Sequence, residues 1–402
     1  MFTFAQKARP NQLLEILNNR KDLFGNIMEN PDLYEAQILY TQIDRDAQNK
    51  PIFRSFEYQV DAKHYFYPAS TVKFPASILA LEKINNLKIK GLSKSTMMLT
   101  GAEYEQHTSV DKDSTSANGL PSIEHYVKKI LMVSDNDAYN RLYEFLGQGY
   151  INEKLYEKGY KDLRLVHRLE VGMNLEQNRR TNPIKFMDEK GLVYEQAMQT
   201  NDKKFEPNAP ILRGKGYLGA NDKLIEKPFD FTNKNYFSIQ NQQDILKAVM
   251  FPEVIPAKKR FNLSPSDYQF LYKYMSQLPT ESTFPTYPPE EYWTTYCKFL
   301  MFGSQKEDIW PKNIRIFNKV GDAYGFLLDN AYVVDFENGI EFMVTAVIYC
   351  NKDQIYNDGN YDYDTIGYPF FKNLGQAIYQ YEAKRKKPRK PDLSKFVMKY
   401  DK

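Results

Sequence analysis

Three long apolar runs crowd into the last third of this chain, Asn313–Val320, Gly325–Phe336 and Ile340–Cys350, and Glu337-Asn338-Gly339 joins the latter two as a hairpin turn. The other clear pair of strand signals lies near the start. Glu35–Asp44 carries Ile38, Tyr40 and Ile43, Arg45–Lys50 makes a polar turn, and Pro51–Tyr58 returns. A strand must pair along its edges and bury a face, so early and late strands are expected to form one sheet. The intervening segment then becomes a second, helical lobe, and a cleft between the lobes would draw residues from both.

The middle of the chain supports that division. Leu13, Leu14, Ile16, Leu17, Leu23, Phe24, Ile27 and Met28 recur at helical spacing and predict an opening amphipathic helix over 11–28. Further helices are predicted after Ser70, with Phe74, Ile78 and Leu81 inward, over Ser122–Met132, from Asp137 to Gly147, over Gln240–Met250 and over Ser264–Leu278. Residues 150–183 are expected to form a helix and a long irregular loop. Residues 184–237, rich in Gly, Pro, Asn and Lys, are expected to be an insertion containing a hairpin. A Pro-rich stretch, Leu278–Pro289, precedes the late strands, and a helix from Tyr368 to Ala383 leads to a basic, solvated tail, Lys384–Lys390. The fold class is α/β (α+β). Residues 1–66 and 312–402 are assigned to the sheet lobe and 67–311 to the helical lobe, with an omega-like loop over 164–183.

Composition narrows the function classes. The 54 basic and 51 acidic residues leave +3, which does not point to nucleic acid. The longest apolar runs, such as Phe342–Tyr349, are too short to span a bilayer. His64, His107, His125 and His167 lack metal-ligand spacing, so neither metal nor other cofactor is expected. Cys297, in a predicted helix, and Cys350, at a strand end, are read as two buried thiols, with one disulfide as the alternative. The 31 tyrosines are assigned to the core periphery. Met1–Gln6 has no charged and apolar leader pattern.

Within this frame, Tyr67-Pro68-Ala69-Ser70-Thr71-Val72-Lys73 delivers a serine to the first turn of a helix with Lys73 on the same side. A buried lysine with a lowered pKa can take the proton of such a serine, and the helix N-terminus favours the oxyanion formed on attack. Ser134-Asp135-Asn136 falls between two helices, where an N-cap is the alternative role. Lys319-Val320-Gly321 lies on the strand that opens the late sheet, where glycine admits close backbone approach.

In this order and setting the three motifs resemble those of the penicillin-recognising serine hydrolases, the class A β-lactamases and penicillin-binding proteins. Arg168-Leu169-Glu170-Val171-Gly172-Met173-Asn174 resembles the class A omega loop, and Arg179-Arg180-Thr181-Asn182-Pro183 its end. The resemblance covers residues 36–183 and 238–380 and implies a two-lobed β-lactamase-like fold. It implies acylation of Ser70 by a β-lactam or related acyl-amide, with Lys73 and Glu170 in proton transfer and Ser134 passing a proton to the leaving nitrogen. Lys319 and Asn136 would hold substrate, and Asn174 would position water with Glu170. Gly321 would admit substrate along the strand, and the backbone N–H of Asp322 would complete the oxyanion hole with that of Ser70. The near alternative is a D-alanyl-D-alanine-type peptidase, which has no need of Glu170; the distant one is a non-catalytic sensor on the same scaffold.

Two departures matter. Val320 stands where the family has a hydroxyl residue, and no arginine occurs between Arg315 and Arg385, while Asp322 adds a negative charge. Weak recognition of a penicillin carboxylate is therefore expected. A monomer acting on a small molecule is expected, and the resemblance implies a place outside the cytoplasm, in the periplasm or otherwise exported, with a cytoplasmic protein as the alternative.

Overall fold

The computed structural model describes residues 11–306 and 310–402. The Met1–Gln6 reading lies outside them. A five-stranded antiparallel sheet dominates, built from β1 (Gln37–Arg45), β2 (Pro51–Tyr58), β3 (Ile314–Ala323), β4 (Phe326–Asp335) and β5 (Ile340–Tyr349) in the order β3-β4-β5-β1-β2. The late hairpins thus meet the early one through β5 and β1, with Tyr40 opposite Val344. Strand and hairpin signals locate all five strands to within about three residues, because each combines alternation with a turn.

Alternation also divides the core. Phe317, Tyr332, Val334 and Met343 join the core shared with the helical lobe, whereas Ile316, Val333, Phe342 and Val344 face the opposite layer. That opposite layer consists of α1 (Gln12–Asn18), α2 (Lys21–Glu29) and the C-terminal helix Tyr368–Lys384. The predicted opening helix is therefore two helices, broken at Asn19-Arg20; the apolar spacing on both sides of the break suits the same core. The Glu382 carboxylate accepts a hydrogen bond from the Tyr40 hydroxyl across this layer, and Arg385 pairs with Asp44 at 2.5 Å, which holds the start of the basic tail against the sheet.

On the other side lie α3 (Lys73–Leu87), α4 (Ile123–Val133), α5 (Asn136–Leu146), α6 (Gln148–Glu157), α7 (Ile239–Met250) and α8 (Pro265–Ser276). Side chains cap several of them where the sequence places a hydroxyl or carboxylate: Ser122 on α4, Asp135 on α5, Ser238 on α7 and Ser264 on α8. The expected hairpin in 184–237 is Ile184–Asp188 with Gly191–Gln196, and it pairs with a strand at Met97–Thr100. Later in that segment, Phe231 packs with Tyr67, Phe326 and Tyr356 in a small aromatic core beneath the Ser70 turn. Among the described residues no helix is long and apolar enough to cross a membrane.

Candidate active site

Ser70 sits on a single 3-10 turn, Ala69–Val72, that runs into α3. Ala69 has φ 46°, a left-handed conformation that bends the chain so that Ser70 faces a cavity of about 650 Å³ between the lobes. From the opposite wall, β3 brings Gly321 against this turn. A β-carbon on Gly321 would lie 3.0 Å from the Pro68 carbonyl oxygen and 3.1 Å from the Ala69 Cβ. Only a residue without a side chain lets strand and turn come this close.

Lys73 is wholly buried and points away from α3 into the Ser134-Asp135-Asn136 junction. Its Nζ donates to the Ser134 carbonyl, to Ser134 Oγ at 3.2 Å and to Asn136 Oδ1 at 2.5 Å. Ser134 can serve as this hub because its left-handed backbone, φ 63°, ends α4 and turns both its carbonyl and its hydroxyl toward Lys73. Asp135, not Ser134 or Asn136, caps α5, which leaves the other two side chains for the site.

Lys319 approaches from β3 and donates to Ser134 Oγ at 2.8 Å and to the Val320 carbonyl at 2.7 Å. Both lone pairs of the Ser134 oxygen are thus engaged by lysine amines, so its own hydrogen is left to point elsewhere, and Ser134 borders the cavity. Burial and the neighbouring Lys319 charge hold the Lys73 pKa well below the usual amine range; burial brings Lys319 down to about 8. The structure therefore joins Lys73, Ser134, Asn136 and Lys319 in one hydrogen-bonded set, with Ser70 on the same cavity. No hydrogen bond joins Lys73 directly to Ser70 among the described residues.

Glu170 also opens into this cavity, exposed and with φ 53°. Among the described residues it forms no ion pair, and the two arginines of its own loop, Arg168 and Arg164, are committed elsewhere. Arg168 Nε pairs with Glu144 at 3.1 Å, and Arg164 donates to the Lys234 carbonyl. The backbone just before Glu170 is clamped by Asn140, whose amide donates to the Leu169 carbonyl at 2.9 Å and accepts from the Leu169 N–H at 2.8 Å. The Asn174 side chain caps a short helix, Leu175–Asn178, in a reciprocal box with Gln177, and Asn174 is not among the residues that line the cavity.

Asp322, Val320 and Tyr67 line the cavity, as do residues no motif announced: Trp293, Tyr296, Tyr324, Tyr361 and Tyr368. Tyr324 is placed by the two-residue turn between β3 and β4, where it and Gly325 take φ 53° and 78°. Trp293 and Tyr296 belong to turns and not to the helix expected around Cys297; Cys297 and Cys350 are both free, buried thiols. Segment 293–304 is fixed by buried polar contacts: Lys298 Nζ donates to Met275 and Ile316 carbonyls, and Asp329 accepts the Leu300 N–H. Such contacts have no periodic signature, so nothing in the sequence marks this wall.

A family model described as the beta-lactamase enzyme family matches residues 36–381. A mutant of PBP-A, solved as an acyl-enzyme complex with penicillin G, is similar over 93% of this chain and 98% of its own, at 15% identity and a TM-score of 0.50. A beta-lactamase from Burkholderia phymatum is similar over 92% of this chain and 100% of its own, at 11% identity and a TM-score of 0.50. At these identities the likeness is one of fold: the same two-lobed α/β architecture. Comparison with curated proteins finds no match.

Proposed function

Since this chain belongs to the beta-lactamase enzyme family, we propose that it is a class A β-lactamase-like serine hydrolase acting on a β-lactam or a related acyl-amide. The observation that carries this reading is the convergence of Lys73, Asn136 and Lys319 on Ser134 at the edge of the cavity that Ser70 and Glu170 also line.

Ser70 Oγ attacks the amide carbonyl while its proton passes toward Lys73, an amine whose lowered pKa equips it to accept one. Contacts of this kind commonly tighten only when substrate is bound. The free hydrogen of Ser134 goes to the departing nitrogen, and Ser134 is reprotonated from the Lys73 and Lys319 side. The Ser70 and Asp322 backbone N–H groups receive the oxyanion, where a single donor contributes about a hundredfold in rate. Water directed by Glu170 then cleaves the ester. Val320 provides no hydroxyl for a penicillin carboxylate, a loss of about 1.5–3 kcal/mol for one charge-assisted bond, so penicillins are poor substrates. By its substrate class the protein works outside the cytoplasm.

A peptidase reading is favoured by one observation, that Asn174 caps its own helix and does not line the cavity beside Glu170. Intact-mass spectrometry after incubation with penicillin G and a chromogenic cephalosporin tests both. The hydrolase reading expects a transient adduct lost in Ser70→Ala and long-lived in Glu170→Gln. An adduct whose lifetime ignores Glu170 supports the peptidase. No adduct with any acyl donor leaves a sensor on the same scaffold.

A further inference from the structure

Two carboxylates, Asp322 and Glu170, are exposed in the cavity, and among the described residues neither is in an ion pair. Among the described residues no arginine or lysine lines the cavity wall. Lys73 and Lys319 stand behind it, engaged with Ser134, Asn136 and the Val320 carbonyl. Both amines are turned away from the open space and spend their N–H groups on Ser134, Asn136 and the Val320 carbonyl, whereas the two carboxylates open directly onto it. A crevice of this balance repels an anion.

Aromatic rings surround the same space. Trp293 and Tyr296 cross edge to face at 4.9 Å, and Tyr67 and Tyr324 do so at 5.0 Å. One face of Trp293 already carries the Lys306 ammonium at 4.6 Å, and Lys306 does not line the cavity. Tyr296 and Tyr368 lie near enough to Asp322 to feel its charge: burial raises both phenols, and that carboxylate raises them further. Ring faces beside an unpaired carboxylate attract an organic cation and have little to offer a carboxylate.

We infer that this crevice selects acyl donors bearing a cationic group, an ammonium or guanidinium held by the Asp322 carboxylate and the Tyr296 and Tyr368 rings, over anionic donors of the same shape. The inference rests on the serine-hydrolase reading and adds the charge of the substrate. Asp322 is its specificity-determining residue.

Three thioesters with one N-acetylglycyl group test it, their thiols being 2-mercaptoethyltrimethylammonium, 3,3-dimethylbutanethiol and 3-mercaptopropionate. In each, the Ser70 Oγ–carbonyl bond forms, the C–S bond breaks, and the serine proton leaves with the thiol; one water then releases N-acetylglycine and restores Ser70. Thiol release and the mass of the adduct are followed for the full chain. The cationic donor is expected to acylate at least about tenfold faster than the anionic one, with the neutral donor between. Asp322→Asn is expected to narrow that ratio to within about threefold. If the variant does not fold, the wild-type ratio decides. Equal or faster acylation by the anionic donor, or a ratio unmoved by Asp322→Asn, overturns the charge inference and leaves the hydrolase standing. No acylation by any of the three overturns both.

Discussion

Gly321 and Ser70 meet across the cleft: a β-carbon on the glycine would stand 2.9 Å from the serine backbone nitrogen, closer than side-chain carbons approach. The contact limits the width of the site, because β3 and the turn before α3, far apart in the sequence, are pressed backbone to backbone here.

Gly321→Ala is therefore expected to push the turn and strand apart. Overpacking of this kind costs about 1–3 kcal/mol, so a lowered Tm should accompany a fall in Ser70 acylation of about tenfold or more. Unchanged adduct formation with an unchanged Tm would show that the turn yields freely.

Asn140 offers a separate handle on Glu170. Asn140→Ala removes both hydrogen bonds to Leu169 and leaves two buried backbone groups unpaired, at about 1–3 kcal/mol each. Acyl-enzyme should still form, while its decay, read as adduct lifetime by mass spectrometry, should slow by about tenfold. Equal slowing of formation and decay would place the effect on the fold as a whole.

Lys319 dictates the alkaline limb of activity. Its pKa is lowered to about 8, so its charge is present below that pH and lost as pH rises through it. Turnover that needs the ammonium beside Ser134 should fall above this point. Lys319→Arg, charged throughout, should move the limb upward, although the bulkier guanidinium lowers the plateau. A pH–rate profile of the two proteins checks this, and an alkaline limb shared by both would assign it to another group.

Val320→Thr places a hydroxyl on the cavity wall next to Lys319. Penicillin G acylation should rise by about tenfold, the lower value of one charge-assisted hydrogen bond. Stopped-flow acylation kinetics give the answer, and no gain would point to the Asp322 charge as the dominant obstacle.

A last expectation concerns stability alone. Arg45 meets Glu341 through two bonds of 2.6 Å between β1 and β5, both side chains buried, and Tyr332 donates to the same carboxylate at 2.7 Å. Arg45→Met leaves that carboxylate uncompensated and should cost about 3–5 kcal/mol, measured by urea unfolding; the double variant Arg45→Met with Glu341→Leu should recover most of it.

Much of this molecule was legible residue by residue. Alternating apolar runs and the Glu337-Asn338-Gly339 turn specify the strands of the sheet, since period and turn chemistry are local properties of the chain. Helical spacing and the caps at Ser122 and Ser264 do the same for α4 and α8. The ordered motifs around Ser70, Ser134 and Lys319 mark which residues belong to the cavity, because chemistry of this kind needs those side chains whatever surrounds them.

Other properties exist only once distant segments touch. Asn174 reads in the sequence as a partner of Glu170, and only the fold reveals that its side chain also caps its own helix. Trp293 and Tyr296 border the cavity because Lys298 and Asp329 pin an aperiodic segment beside β3, and Tyr368 reaches it from the first turn of the C-terminal helix. The charge balance of the crevice is likewise a product of burial, which depends on what packs around a group and has no trace in its neighbours along the chain.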